Sequence, residues 1–497
     1  MGAYVGIDLG TTFSVIANID ETGRPTVLHN AEGQNITPSC VAIYDGEMHV
    51  GEQARKAWGI DEGNVAARFK RDMGSERTFS LDGQEFSPTA LSAAVLNKLK
   101  SDARAQIGDI SEAVVTIPAN FSQEAREATM SAAKQAGLNV NYIINEPTAA
   151  ALYYAFKSGE ELSGIYAVYD LGGGTFDVSV IQVSGQDVDV LASNGVARLG
   201  GDDFDRVCRE IVGKKHHDEL GRELEDGDYL FNDAEEEKKS LSSRKRVIAK
   251  IGRQAIEVRR EEFEDAISHL VAQAEMLCEA TIEEAGIEAS DIRGVFLAGG
   301  STRIPAVQES IRRVFGQEPV STVNVDEVVA LGAALYAAYK SDGRGLTAAQ
   351  EDAIKRIRVT ESTNKCFGTF SIVFNEKKNQ LEQQNSILIR KGEKIPCSVT
   401  ESFYTVADNQ TTVRCVVTES TSPETDPRFV KVIWEGELPL PPGRPEGQEV
   451  KVTFGYDDSQ IMFCQFKDVE SGNEEKVDLS MASASEATDD IEKFLVD

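Results

Sequence analysis

A chain of 497 residues is too long for one hydrophobic core, so at least two domains are expected. Its formal net charge of -31 opposes binding to nucleic acid, whose phosphates are bound through a surplus of Lys and Arg. No apolar run approaches the roughly 20 residues that a membrane helix needs, and the seven scattered cysteines indicate neither a disulfide framework nor a zinc site. We therefore expect a globular, cytoplasmic protein with no nucleic-acid and no membrane partner.

The first predicted element is a β-hairpin over residues 4–17. An apolar strand ends at Asp8, the turn Leu9-Gly10-Thr11-Thr12 follows, and Phe13 begins a second apolar strand. A glycine in such a turn lets backbone N–H groups come close to a bound anion. The hairpin is therefore a candidate phosphate site, although a plain tight turn would show the same residues.

Residues 25–160 alternate predicted strands and helices. Short strands and turns occupy residues 25–70, and a helix then runs from the N-cap Ser87, with Pro88 in its first turn, to Gly108. A buried strand at residues 113–117 precedes helices over residues 122–137 and 148–156. Such alternation predicts a layered α/β domain.

A second hairpin, over residues 167–183, repeats the pattern of the first. Asp170 ends its first strand, the turn is Gly172-Gly173-Gly174-Thr175, and Asp177 lies on the returning strand. The repeat indicates an internal duplication in which each lobe presents one hairpin to the same phosphate chain. Because the carboxylates would repel that anion, a cation is expected between them.

The second half of this α/β region continues with glycine turns and helices. Gly200-Gly201 precedes a helix, and a polar insertion over residues 214–260 contains the charge run 235–239, a pattern more typical of a solvated helix face. The basic residues 244–246 adjoin an alternating strand pattern, so we discount a localisation signal. A long helix at 261–285 and a strand at 295–298 lead to Gly299-Gly300 and a helix beginning at Pro305.

The composition changes near residue 341, after which predicted strands dominate. Val450, Val452 and Phe454 alternate with Lys451 and Thr453, so one face of that strand is buried. The pattern predicts a small antiparallel sandwich. Its predicted strands span residues 370–374, 386–389, 412–417, 430–434, 449–454, 461–466 and 476–480, and residues 485–497 are predicted to begin a helix.

The chain contains neither a Walker A motif nor a Gly-x-Gly-x-x-Gly turn in a Rossmann context. Phosphoryl transfer needs a divalent ion, a positioned water and a cation on the transferred phosphate. Asp8 and Asp170 suit the first task. Lys70 is a candidate for the last, although a single lysine among many is more often a surface residue.

Six motifs lie at residues 6–12, 115–119, 144–151, 170–177, 199–205 and 297–305. In this order they resemble the 70-kDa heat-shock chaperones of the DnaK type. The resemblance implies an α/β, actin-like (ribonuclease-H-like) ATPase of two lobes followed by an all-β, peptide-binding sandwich. It divides the chain into a nucleotide-binding domain at 1–340, a linker at 341–360, a sandwich at 361–482 and the start of a truncated helical lid at 483–497.

The resemblance also assigns residues to ATP or ADP and Mg²⁺. Asp8 and Asp170 would hold the metal through waters, and Lys70, Glu146, Asp177 and Thr175 would carry catalysis. Thr11, Thr12 and Thr175 would contact the phosphates. Gly10, Phe13, Gly172, Gly173 and Gly174 are further expected cofactor-binding residues. The adenosine would contact Gly200, Gly201, Glu235, Lys238, Ser242, Gly299, Gly300, Ser301, Arg303 and Asp326.

Departures from the family pattern keep a second function open. Tyr142 stands where an arginine that engages J-domain co-chaperones is expected, and residues 349–358 lack the acidic, leucine-rich linker pattern. The first interpretation is a slow ATPase that chaperones unfolded or extended polypeptide clients, with a nucleotide-exchange factor as a further partner. The second is a nucleotide-gated scaffold or co-chaperone with little turnover. An actin-like filament former or a sugar kinase shares only the hairpins.

Overall fold

The computed structural model describes residues 2–58, 63–158, 162–185, 187–196, 198–225, 227–320, 323–355, 357–375, 379–457 and 461–478. The chain divides into two compact units. The first contains residues up to Ala119 and Thr129–Val359, and the second contains Asn120–Ala128 and, of the described residues, 360–478. The predicted α/β region and β-rich region are both confirmed, while the predicted helix at 485–497 lies outside the described residues.

The first unit has two lobes, each built on one mixed sheet. Its strands are β1 (Ala3–Asp8), β2 (Phe13–Ile19), β3 (Pro25–Val27), β4 (Thr37–Pro38), β5 (Cys40–Tyr44), β6 (Glu47–Val50), β7 (Val65–Ala67), β8 (Phe79–Leu81), β9 (Gln84–Phe86), β10 (Ile110–Ile117), β11 (Tyr142–Asn145), β12 (Leu162–Leu171), β13 (Phe176–Gly185), β14 (Asp187–Val196), β15 (Arg246–Ile251), β16 (Gln254–Arg259), β17 (Ile292–Ala298) and β18 (Arg358–Thr360).

Helices cover and connect these sheets. They are α1 (Glu52–Ala57), α2 (Pro88–Ile107), α3 (Gln123–Gln135), α4 (Glu146–Ser158), α5 (Gly201–Leu220), α6 (Phe231–Ser243), α7 (Arg260–Glu284), α8 (Pro305–Phe315), α9 (Val328–Lys340) and α10 (Ala348–Ile354), with short 3₁₀ turns at Phe69–Asp72, Ala289–Asp291 and Gly300–Arg303. The predicted caps hold where they were named. The Ser87 hydroxyl accepts from the Ala90 N–H at 3.2 Å, for example.

The two lobes share one strand order. In the first lobe β1, β2 and β3 form an antiparallel meander, and β10 lies parallel beside β1. In the second lobe β12, β13 and β14 form the same meander, and β17 lies parallel beside β12. The repeated topology supports the internal duplication inferred from the two hairpins.

Small residues allow α4, α9 and β1 to pack unusually closely. A Cβ placed on Gly332 of α9 would lie 1.7 Å from the Ala149 carbonyl oxygen of α4, and one on Gly6 of β1 would lie 2.1 Å from the Ala334 nitrogen of α9. No side chain fits at either position. The Ala and Gly composition of these helices therefore serves close packing between the lobes.

The second unit is a sandwich of two four-stranded antiparallel sheets. The sheet orders are β20-β19-β22-β23 and β21-β24-β25-β26. The sandwich core contains Phe367, Phe454 and Phe466, and the side chain of Phe454 is fully buried. The strands are β19 (Cys366–Asn375), β20 (Gln380–Ile389), β21 (Cys397–Tyr404), β22 (Thr412–Ser420), β23 (Lys431–Pro439), β24 (Glu449–Tyr456), β25 (Met462–Asp468) and β26 (Glu474–Asp478), with a 3₁₀ turn at Pro427–Phe429.

Strand prediction missed β8, β9, β14, β18 and β21. Every residue of β21 is exposed or half-buried, and its sequence, Cys-Ser-Val-Thr-Glu-Ser-Phe-Tyr, is largely polar. It forms because all eight residues pair with β24, a long-range contact that has no local signal. Within the described part of the chain, no helix combines the length and apolarity that crossing a bilayer requires.

Candidate functional site

The turns of the two predicted hairpins lie against each other in the first unit. A Cβ placed on Gly173 would lie 1.9 Å from the Thr12 Oγ1 atom, and one on Gly174 would lie 2.3 Å from the Thr11 methyl carbon. Glycine is therefore required in the second turn because the first turn occupies the space of any side chain. The sequence placed one hairpin in each lobe, and the structure brings both to one cleft.

A cavity of about 90 Å³ lies where the turns meet. Small-molecule sites usually measure about 300–1,000 Å³, so this cavity alone has room for only part of a nucleotide. The cavity collects most of the predicted phosphate and catalytic residues. It is lined by Asp8, Gly10, Thr11, Thr12, Phe13, Lys70, Glu146, Asp170, Gly172, Gly173, Thr175, Gly299, Gly300 and Asp326, and by Ile36, Val325 and Val329.

Lys70 and Glu146 form a buried ion pair at this cavity. The Lys70 ammonium donates to the Glu146 carboxylate at 2.7 Å, and each side chain is 7% exposed. Lys70 lies on the 3₁₀ turn Phe69–Asp72, and Glu146 begins α4 directly after β11. Burial would lower the pKa of Lys70, but the neighbouring Glu146 and Asp8 carboxylates raise it. The lysine is therefore a charged site residue and not a surface one.

The charge of the Lys70 ammonium also acts on three further carboxylates, those of Asp8, Asp170 and Asp177. Asp8 accepts from the Thr116 hydroxyl at 3.2 Å, and Asp170 faces Asp177 in the ladder between β12 and β13. Burial, followed by the Glu146 carboxylate, raises the pKa of Asp8 to about 7 and that of Asp177 to about 8. The same two causes raise the pKa of Asp170 well above its ordinary value. Charged carboxylates at this density need an added cation.

The residues present fit a hard divalent cation. One oxygen of Asp177 is buried without a hydrogen-bond partner, and so is the Thr12 hydroxyl. Carboxylate and hydroxyl oxygens are the ligands that Mg²⁺ prefers, usually with several retained waters. The described residues contain no cluster of three or more ligands that would enclose a metal by themselves. This arrangement suits an ion shared with a phosphate chain.

Part of the predicted adenosine set lies behind the second glycine turn. The Ser301 hydroxyl donates to the Gly172 carbonyl at 2.9 Å, and the Gly201 N–H donates to the same carbonyl at 3.0 Å. A Cβ on Gly200 would lie 2.7 Å from the Gly173 carbonyl carbon. Lys238 donates to the Gly201 carbonyl at 3.0 Å. These residues support the turn and do not line the cavity.

Three more of the predicted adenosine residues, Arg303, Glu235 and Ser242, do not line the cavity. Arg303 pairs with Asp326 at 2.5 Å and is half exposed, at 50%. Glu235 pairs with Arg55 and, at 2.9 Å, with Lys239. Ser242 is half-buried one turn beyond Lys238 on α6. The structure thus places this set on α6 and close to the Gly299–Gly300 turn.

Sequence interpretation missed an aromatic and ionic cluster that joins residues of the two lobes. The Trp58 and Phe231 rings stack with centroids 6.1 Å apart, and the Arg68 guanidinium lies 4.3 Å from the Trp58 ring centre. Arg68 also pairs with Asp202 at 2.7 Å. We call Trp58, Arg68, Asp202 and Phe231 the cleft latch. Its members come from elements far apart in the chain, so no local pattern marks them.

Phe13 receives two cations beside the latch. The Arg55 guanidinium lies 4.8 Å, and the Lys239 ammonium 5.7 Å, from its ring centre. Arg55 and Lys239 also share Glu235, so the cluster joins the first hairpin to α6. Neither cation was predicted.

Comparison with known families gives one finding. The family model described as Hsp70 protein matches residues 4–497, essentially the whole chain. The match covers both the cleft and the β-sandwich.

Proposed function

Because the chain belongs to the Hsp70 family, whose members are ATP-dependent chaperones and ATPases in general, we propose that its cleft binds ATP with Mg²⁺ and hydrolyses it slowly. Nucleotide state then controls how the β-sandwich binds extended, apolar polypeptide segments. The observation that carries the proposal is the buried Lys70 in a cavity where two glycine turns and four carboxylates meet.

Each charged residue has a role that follows from its position. Asp8 and Asp170 would hold Mg²⁺, which supplies charge neutralisation on the phosphates when it is bound. Lys70 is aimed into the cavity by Glu146 and stabilises negative charge on the transferred phosphoryl group. Asp177 has an unpartnered buried oxygen and accepts a hydrogen bond, and then a proton, from the attacking water. Thr175 lies beside it at the turn and contacts phosphate.

The nucleoside part of the site is proposed from the surrounding elements. Gly299, Gly300 and Asp326 line the cavity, and Glu235, Lys238 and Ser242 lie along α6. The turn residues Gly200, Gly201 and Ser301 hold the second glycine turn in place. Arg303 is fixed by Asp326 and, at 2.9 Å, by the Asn324 side chain. It offers a planar cation to the base.

Exposed apolar side chains on the sandwich support a client site. Phe374 is 57% exposed, Leu381 is 61% exposed and lies opposite it in the β19–β20 ladder, and Tyr404 is 61% exposed. Such side chains would be covered by an extended apolar segment. The family generally binds unfolded polypeptides and co-chaperones. A nucleotide-exchange factor is therefore proposed as a partner, and cytoplasmic location stays a prediction from the sequence.

A nucleotide-gated scaffold with little turnover is the second candidate. The cleft latch and the contact of the glycine turns favour it, because both oppose exchange of the nucleotide. Tyr142 favours it too, because it stands where the family resemblance places an arginine that engages J-domains. Its ring instead contacts the Lys340 ammonium, which lies 4.6 Å from the ring centre. We therefore do not expect J-domain stimulation.

Single-turnover hydrolysis of ATP separates the two candidates. We would compare the native chain, Lys70→Ala and the control Lys134→Ala, whose lysine is exposed on α3, with and without an extended apolar peptide. Hydrolysis that falls about 100-fold or more in Lys70→Ala supports the ATPase. An equal rate in native and Lys70→Ala protein refutes the catalytic assignment. A peptide that never changes the native rate favours the scaffold.

A further inference from the structure

The hairpin formed by β15 and β16 carries a strong positive charge on an acidic chain. Residues 244–260 contain seven Lys and Arg and a single carboxylate, whereas the whole chain has a net charge of -31. The proposed nucleotide site uses none of these residues. We define the hairpin basic face as Arg244, Lys245, Arg246, Ile248, Lys250, Arg253 and Arg259, all of them exposed.

Strand periodicity directs this charge outward. On β15, Val247, Ala249 and Ile251 are buried in the second lobe, so the alternate residues Arg246, Ile248 and Lys250 face out. The antiparallel register sets Arg259 opposite Arg246. Two guanidiniums therefore stand side by side at one end of the face, and Lys250 stands at the other, with Ile248 between them.

The two arginines, Arg246 and Arg259, already bind one carboxylate within the chain. Glu257 lies opposite Ile248 and accepts from Arg246 at 3.0 Å and from Arg259 at 2.9 Å. Both guanidiniums remain 70% exposed, so each keeps donors free for solvent or a ligand. Among the described residues, neither Lys250 nor Arg253 has an ion-pair partner. The face thus has an excess of unmatched positive charge.

We propose that the hairpin basic face binds an acidic segment of a partner protein, in an extended conformation, with an apolar side chain between its carboxylates. Outward residues of a strand are spaced by about 6.7 Å, twice the rise per residue, and an extended partner presents alternate side chains at the same spacing. Carboxylates of the partner pair with the arginines and with Lys250, while its apolar side chain covers Ile248, which is 45% exposed.

The same features disfavour RNA as the ligand. Residues 244–260 contain no aromatic side chain on which a base would stack. The exposed, apolar Ile248 side chain at the centre of the face would make no favourable contact with a charged phosphate backbone. The net charge of -31 also repels a long polyanion, whereas a short acidic segment interacts only with charges within about 8 Å at physiological salt.

The test is binding of a labelled synthetic peptide of alternating Glu and Val, followed by fluorescence anisotropy with the full chain. We expect affinity to fall about tenfold in Lys250→Gln/Arg253→Gln, since each exposed charge pair contributes a modest share. Ile248→Ser should weaken binding about threefold. The charge-matched control Arg104→Gln/Lys134→Gln, on exposed positions of α2 and α3, should stay within about twofold of native affinity.

Three results would overturn the proposal. The first is that the peptide does not bind at all. The second is that the control variant loses as much affinity for the peptide as Lys250→Gln/Arg253→Gln does. The third is that Ile248→Ser leaves the affinity unchanged while polyuridylate binds more tightly than the peptide. The last result would assign the face to a nucleic acid. Because all substituted residues are exposed, unchanged circular dichroism and thermal unfolding would show that each variant is folded. The inference does not depend on ATP binding at the cleft.

Discussion

Removal of the Lys70 ammonium should destabilise the first unit and abolish hydrolysis. The attraction between unit charges 2.7 Å apart is about 6 kcal/mol at an effective dielectric of 20. Burial offsets part of this, and loss of one partner of a buried pair typically costs about 3–5 kcal/mol. We therefore expect Lys70→Met to lower the free energy of unfolding of the nucleotide-free first unit by about 3 kcal/mol.

Urea unfolding followed by tryptophan fluorescence would measure this loss. The chain has two tryptophans, Trp58 in the first unit and Trp434 in the second, so a Trp434→Phe background leaves a single reporter in the first unit. Glu146→Gln and the double variant Lys70→Met/Glu146→Gln complete a double-mutant cycle. We expect a coupling free energy of about 2–3 kcal/mol. A coupling free energy below about 0.5 kcal/mol would refute the ion pair as a stabilising contact.

Three other perturbations test separate parts of the first unit. Arg68→Ala removes a guanidinium that joins Trp58 to Asp202. In stopped-flow measurements, a fluorescent ADP should therefore dissociate about five- to tenfold faster from this variant. An unchanged dissociation rate would show that the cleft latch does not control nucleotide release. Gly332→Ala should lower the free energy of unfolding by about 3 kcal/mol or more, because its Cβ would lie 1.7 Å from the Ala149 carbonyl oxygen. The control Gly213→Ala, whose Cβ would meet Leu224 at 3.4 Å, should be neutral or slightly stabilising. Equal melting temperatures of the two variants would contradict the close packing of α4 on α9. Burial raises the pKa of Asp8 from 3.8 to about 7 and that of Asp177 from 3.8 to about 8. Between pH 4 and pH 8, roughly, the folded chain therefore binds more protons than the unfolded chain. Its stability without nucleotide should fall as the pH rises through this range. Thermal unfolding at several pH values should show a shallower slope in Asp177→Asn, and an unchanged slope would count against the raised pKa.

The sequence was most informative where local chemistry decides the structure. The two hairpins, the cap at Ser87 and the glycine turns were predictable because each depends on residues close together in the chain. The alternation of Val450, Val452 and Phe454 likewise predicted a buried sandwich face, and these side chains lie in the core of the second unit. Period and turn chemistry therefore identified the elements that bear the site.

Contacts between distant elements were not predictable from those signals. Nothing near Trp58 indicates that its ring stacks on Phe231, and nothing in residues 397–404 marks β21. The charge run at α6 illustrates the same limit. Its composition is typical of a solvated face, yet Glu235 and Lys238 are buried by partners on α1 and α5. Long-range pairing, which local periodicity does not encode, decided these positions.

Equilibrium dialysis of ATP against the full chain, with and without Mg²⁺, tests most directly whether the two glycine turns hold a metal-bound triphosphate. We expect one ATP per chain, bound at least about tenfold more tightly with Mg²⁺, and loss of that metal dependence in Asp8→Asn/Asp170→Asn. Stoichiometric ATP binding that ignores both Mg²⁺ and the double substitution would contradict a site between the turns.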